Sequence, residues 1–147
     1  MLDIRDLHLT FHDHGVDNEV LHGINLHMDA GERLGLVGES GSGKSVTALA
    51  IAGLLRRSSV TLTGEICFEG RDLLALPREE MRKYQGNEIG MIFQEPMTSL
   101  NPLMKVGRQI EEVLRIHTDK SPAEMRALAL EVMEKVGLPD PPVTYEK

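Results

Sequence analysis

The stretch GLVGESGSGKSVTALAIAGLL, residues 35–55, decides how this chain is read. Eight of its residues, Gly38-Glu39-Ser40-Gly41-Ser42-Gly43-Lys44-Ser45, fit the pattern G-x-x-x-x-G-K-[ST]. Gly41 and Gly43 allow the backbone to curl so that successive N–H groups point inward. With a helix N-terminus behind them, those N–H groups make a nest for an anion. Lys44 is placed to reach the β and γ phosphates of a nucleotide, and the Ser45 hydroxyl to bind Mg²⁺. The flanks suit this reading. RLGLVG (residues 33–38) reads as a short apolar strand running into the loop. SVTALAIAGLL (residues 45–55), rich in Ala and Leu, reads as a buried helix. A phosphate loop alone does not choose among kinases, GTPases, motors and transporters.

The rest of the chain narrows the field. Its 147 residues are the length of one ordinary domain, and 41% apolar residues are enough for a core. Sixteen Lys and Arg against 23 Asp and Glu give a formal charge of −7, which argues against nucleic acid as the main partner. One nucleotide needs only a few N–H groups and one Lys. The single cysteine, Cys67, rules out an internal disulfide framework and reads as a buried strand residue. The N-terminus lacks the basic start and apolar run of a signal peptide, and the longest apolar-rich stretch, residues 46–55, is too short to span a bilayer. A soluble chain able to dock on a membrane protein is expected.

Leu2, Ile4, Leu7, Leu9 and Phe11 are spaced like one face of a strand, with a slip at Asp6. Residues 12–19 read as a polar turn, residues 20–29 as a second strand, and residues 30–32 as a tight turn. Residues 61–73 read as strand with turns at Gly64 and Gly70. Residues 77–86 read as a short helix opened by Pro77 and closed by Gly86. Residues 88–96 read as a strand ending in a loop at Gln94. Two helices follow. In residues 105–117, Val106, Ile110, Val113 and Leu114 share a face. In the second, Ser121 and Glu124 form a capping box with Pro122 at the first position, Met125, Leu128, Ala129, Val132, Met133 and Val136 make the stripe, and Gly137 ends it. The proline-rich tail has no pattern of its own. The expected organisation is a strand-and-helix part over 1–95 and a helical part over 96–147, with the break at Glu95-Pro96. His12 and His14 form an H-x-H pair that reads as a solvated turn rather than a metal site.

The pieces GESGSGKSVTALAIAGLL, GEICFEGRDLL and IFQEPMTSLNP resemble the ATP-binding-cassette ATPases, and within them the ATP-binding subunits of oligopeptide, dipeptide and nickel importers. The resemblance runs from Leu2 to Tyr145. It implies an α/β phosphate-loop NTPase core with an antiparallel β subdomain, followed by the start of a helical subdomain, the whole an incomplete domain. It implies ATP and Mg²⁺ as ligands and makes Gln94 the glutamine that coordinates Mg²⁺ and senses the attacking water. Phe11 falls near the family's adenine-stacking aromatic; as a residue it reads equally as a core aromatic at a strand end. Val46 stands where many members have Thr, so its contact to the α phosphate is left to the backbone N–H. The implied partners are a second ATPase subunit, two membrane permease subunits and, indirectly, a substrate-binding protein. The implied place is the cytoplasmic face of the cell membrane.

The family's Leu-Ser-Gly-Gly-Gln signature, its apolar run ending in Asp-Glu and its late switch His are absent from these 147 residues. The chain is therefore expected to be the first half of a longer ATPase, with exposed sheet edges and apolar faces. A rival reading is a nucleotide-binding module without catalysis. A phosphate-loop kinase is weaker, since it leaves IFQEPMTSLNP unexplained.

Overall fold

The alternation at the start of the chain forms β1 (Leu2–Asp13), the second strand of a four-stranded sheet of order β2-β1-β3-β4. The strands β2 (Val16–Met28), β3 (Val60–Phe68) and β4 (Arg71–Asp72) join it, every neighbouring pair antiparallel. The computed structural model describes residues 1–94 and 100–147. It divides into two compact units, Met1–Gln85 and Gly86–Lys147. The expected break at Glu95-Pro96 lies outside the described residues, within the span of the second unit.

The slip at Asp6 is a β-bulge. Arg5 pairs with Glu65 and His8 with Thr63, so Asp6 and Leu7 together face Gly64. Asp6 takes a φ of 46°, and the inserted residue shifts the alternation so that Leu7 and Leu9 join Leu2 and Ile4 on the core face. Gly64 was expected at a turn. It instead lies inside β3 with φ 101°, where a Cβ would overlap the Asp6 carbonyl oxygen. The polar stretch 12–19 also differs from expectation. The turn is only His14-Gly15, with φ 46° and 83°, and the strands run up to it on both sides. Positive φ at both central residues gives the turn whose twist matches a two-residue hairpin.

Helix α1 (Lys44–Ile51) stops four residues before the expected Leu55. Gly53, at φ 68°, donates to the Ala50 carbonyl and Leu54 donates to the Leu49 carbonyl, a paired closure that only a left-handed residue permits. Helix α2 (Arg78–Tyr84) buries Met81 against Gly53. Two expected strands do not form as ladders: residues 33–38 join none among the described residues, and of the expected 88–96, residues 90–94 join none while 95 and 96 lie outside the described residues. Val37 is 91% exposed and Ile92 99%. Apolar composition marks strand material, but a strand is fixed by a hydrogen-bonded neighbour, and none flanks either segment among the described residues.

The second unit is helical. Its members are α3 (Val106–His117), α4 (Pro122–Lys135) and α5 (Pro141–Tyr145). The capping box of α4 is present: Glu124 N–H donates to Ser121 Oγ and Ser121 N–H to Glu124 Oε2. Met125, Ala129 and Met133 of the expected stripe are buried, whereas Val132 and Val136 are exposed. On α3, Val113 of the expected face is likewise exposed, and Gly107 and Glu111 are buried instead. The reason is Tyr145, from the tail that showed no pattern. Its ring lies on Gly107, its hydroxyl donates to the Glu111 carboxylate, and Arg126 sits 4.2 Å over the ring. Burial, then the Glu111 hydrogen bond, push the Tyr145 phenol above its ordinary value and keep it a donor. Among the described residues, no helix is long and apolar enough to cross a membrane.

Candidate functional site

The glycine loop reaches α1 through two left-handed residues, Gly41 at φ 81° and Gly43 at φ 89°. Gly43 is the N-cap of α1. It is fixed by more than its φ, since an added Cβ would come 2.7 Å from Leu21 Cδ2 on β2. The first helical bond runs from Thr47 N–H to the Gly43 carbonyl at 2.8 Å, and the buried Thr47 hydroxyl donates to the same oxygen. The N–H groups of Lys44, Ser45 and Val46 precede that bond and have no intrahelical acceptor. No side chain caps α1 and no acidic residue stands in its first turn. This helix end therefore presents its positive pole, with donors, to an anion.

Lys44 completes the electrostatics. Its Nζ donates to the Gly38 carbonyl at 2.8 Å, to the Glu39 carbonyl and to Ser42 Oγ at 3.2 Å. The ammonium is thereby held over the loop rather than released to solvent. Gly38 is tight against the same turn, since a Cβ there would lie 2.7 Å from Ser42 Oγ.

A cleft of about 300 Å³ brings the parts together. Phe11, Gly41, Ser42, Gly43, Lys44, Ser45 and Val46 line it. Of the other expected residues, Gly38 and Glu39 hold Lys44 through their carbonyls, and Ser40 is exposed in the loop. Gln94 is exposed and belongs to the second unit. Sequence reading missed Asn18 and Val20, which also line the cleft. The signal was the adjacent apolar pair Val20-Leu21, which breaks alternation as Asp6 does on β1.

The histidines of the hairpin bond to carboxylates, His8 to Glu19 at 2.7 Å and His12 to Asp17 at 2.6 Å. His14 lies in the turn, so the H-x-H pair is split between a strand and a bend. Among the described residues, no three His, Cys, Asp or Glu are arranged to hold a metal. Cys67 is half-buried on β3 rather than fully buried.

A family model described as ABC transporter matches residues 21–146, and the chain belongs to that family. The oligopeptide transport ATP-binding protein OppD of Bacillus subtilis (strain 168) is 49% identical over 142 residues, covering 96% of this chain and 40% of that protein. The dipeptide transport ATP-binding protein DppD of Lactococcus lactis subsp. cremoris (strain MG1363) is 45% identical over 141 residues, covering 95% of this chain and 40% of that protein. Among solved structures, the dimeric post-hydrolysis state of the ATP-binding cassette MJ0796 bound to ADP and Pi matches with a TM-score of 0.82 and 25% identity. That match covers 99% of this chain and 60% of that one. The fold is thus that of an ABC ATPase cassette, and the chain spans about 40% of the length of these curated relatives.

Proposed function

We propose that the chain binds MgATP and acts as the energy-coupling subunit of an importer for peptides or nickel. One observation carries the binding: the uncapped N-terminus of α1, the left-handed Gly41 and Gly43, Lys44 and Phe11 meet in one cleft. In this reading the backbone N–H groups from Gly41 to Val46 cradle the phosphates, and the Lys44 ammonium neutralises the outer two. Phe11 stacks on the adenine. Ser45, an exposed hydroxyl in the first turn of α1, is a hard oxygen donor that suits Mg²⁺. When bound, Mg²⁺ supplies charge neutralisation across the phosphates. The helical part over 96–147 docks on a permease subunit.

The names of the relatives, oligopeptide and dipeptide transport ATP-binding proteins, support transport as the setting. Two such subunits, two membrane permease subunits and a substrate-binding protein would form the assembly at the inner face of the membrane. A second reading is favoured by the sequence itself. Without the signature and the Asp-Glu run, these 147 residues bind nucleotide but do not hydrolyse it.

Calorimetric titration with MgATP tests the binding. Lys44→Ala is expected to weaken affinity about 10- to 100-fold, the effect of removing a charged hydrogen-bond donor. Equal affinity in the variant would overturn the proposal. On the second reading, phosphate release by the unaltered chain stays at the level of the Lys44→Ala control.

A further inference from the structure

Asn18 plays no part in the loop chemistry above, yet the sheet delivers it to the same place. It stands directly opposite Phe11 in the β1–β2 ladder, so the two side chains share a face and their Cβ atoms lie about 4.5–5.5 Å apart. An inserted residue sets that register. Leu9 pairs with Leu21, but Thr10 pairs with Glu19, leaving Val20 as a bulge. Without it, Asn18 would point from the opposite face, because a slip of one residue exchanges the faces of a strand. Bulges beside binding sites re-aim side chains in this way.

Asn18 and Phe11 together line two neighbouring clefts. One is the 300 Å³ cleft of the phosphate loop, and the other is a cleft of about 800 Å³ at the hairpin tip, bounded also by His12, Asp17 and Ser59. Asn18 is exposed, and its carboxamide makes no hydrogen bond among the described residues. An unengaged donor and acceptor therefore sit side by side next to an aromatic ring, on the loop side of the sheet.

We propose that Asn18 reads the nucleotide base and favours adenine; the inference rests on the nucleotide-binding reading of the phosphate loop. A carboxamide offers one acceptor oxygen and an NH₂ donor in a plane. Adenine presents the complement, the N6 amino donor beside the N7 acceptor, and two hydrogen bonds form. Guanine presents two acceptors there, O6 and N7, and leaves the Asn18 oxygen facing one of them.

Calorimetric titration with ATP, GTP, 7-deaza-ATP and inorganic tripolyphosphate separates the base from the phosphates. The unaltered chain is expected to bind ATP about five- to tenfold more tightly than GTP or 7-deaza-ATP, the low end of a bidentate pair at an exposed site. Asn18→Ala should bind the three nucleotides alike while binding tripolyphosphate as before. Asn18→Asp, which presents acceptors only, should also lose the preference for ATP over 7-deaza-ATP. An unaltered chain with no base preference, or an Asn18→Ala variant that keeps it, overturns the assignment and leaves the loop reading intact. If Lys44→Ala binds ATP and tripolyphosphate as the unaltered chain does, the loop reading falls and takes this inference with it.

Discussion

Leu2, Ile4, Leu7 and Leu9 on β1 and Leu34, Leu36 and Val37 ahead of the glycine loop are the same apolar material with opposite fates. The first four are buried in a ladder flanked on both sides. The other three are exposed and belong to no ladder among the described residues. The difference teaches that hydrophobicity proposes a strand and a neighbour confirms it. A hydrophobic run gains from burial only if its backbone N–H and C=O groups are also paired.

That contrast is open to direct attack. Leu7→Ala removes a fully buried side chain and is expected to cost about 3 kcal/mol, whereas Val37→Ala at an exposed site is expected to stay within about 0.5 kcal/mol. Urea denaturation followed by far-UV circular dichroism reads both. Similar losses at the two positions would mean that residues 33–38 are buried in solution.

The bulge gives a second, sharper test on the paired side. Gly64→Ala forces a side chain into φ 101° and against the Asp6 carbonyl, and is expected to cost about 2 kcal/mol. Gly70→Ala has the positive φ but open space around it, so it should cost about half as much. The difference isolates the close approach of β3 to β1 from backbone conformation alone.

How much of this was legible depended on how local each feature is. The glycine loop was readable because its conformation is specified by residues within it, Gly41 and Gly43 above all. The α4 cap was readable for the same reason. Ser121→Ala is expected to cost about 1 kcal/mol of helix stability by thermal unfolding, because Glu124 N–H loses its acceptor Ser121 Oγ while the backbone N–H of residue 121 still donates to the Glu124 carboxylate. The bulge at Asp6 left a trace as a slip in alternation, but its partner Gly64 looked like a turn. Only the pairing of strands some sixty positions apart shows otherwise. Asn18 was illegible because its face depends on where Val20 bulges. Tyr145 was illegible because its pocket is assembled from Gly107 on one helix and Arg126 on another.

The smallest expected effect concerns the outer face of the hairpin. Hydrogen bonds to Glu19 and then to Asp6 raise the His8 imidazole above its ordinary value, and the bond to His8 lowers Glu19. The His8 contribution is fully present below about pH 6.5 and is lost as pH rises through the raised value. The Glu19 contribution is present above about pH 4.3 and is lost as pH falls through the lowered value. Stability relative to a His8→Gln variant should therefore be greatest near pH 5–6 and shrink on either side, as read by urea midpoints across that range. A flat difference would mean the pair is fully screened by water. Set beside Leu7, this pair measures how little an exposed ionic contact adds where burial does the holding.

The ring of Tyr145 lying on the bare backbone of Gly107 has a consequence for how this protein can vary. No side chain fits at position 107 while the ring is there, and losing the ring first opens the space. The two positions are therefore not independent, and the order in which they change matters. A history that begins at 145 avoids that collision, and one that begins at 107 meets it at its first step.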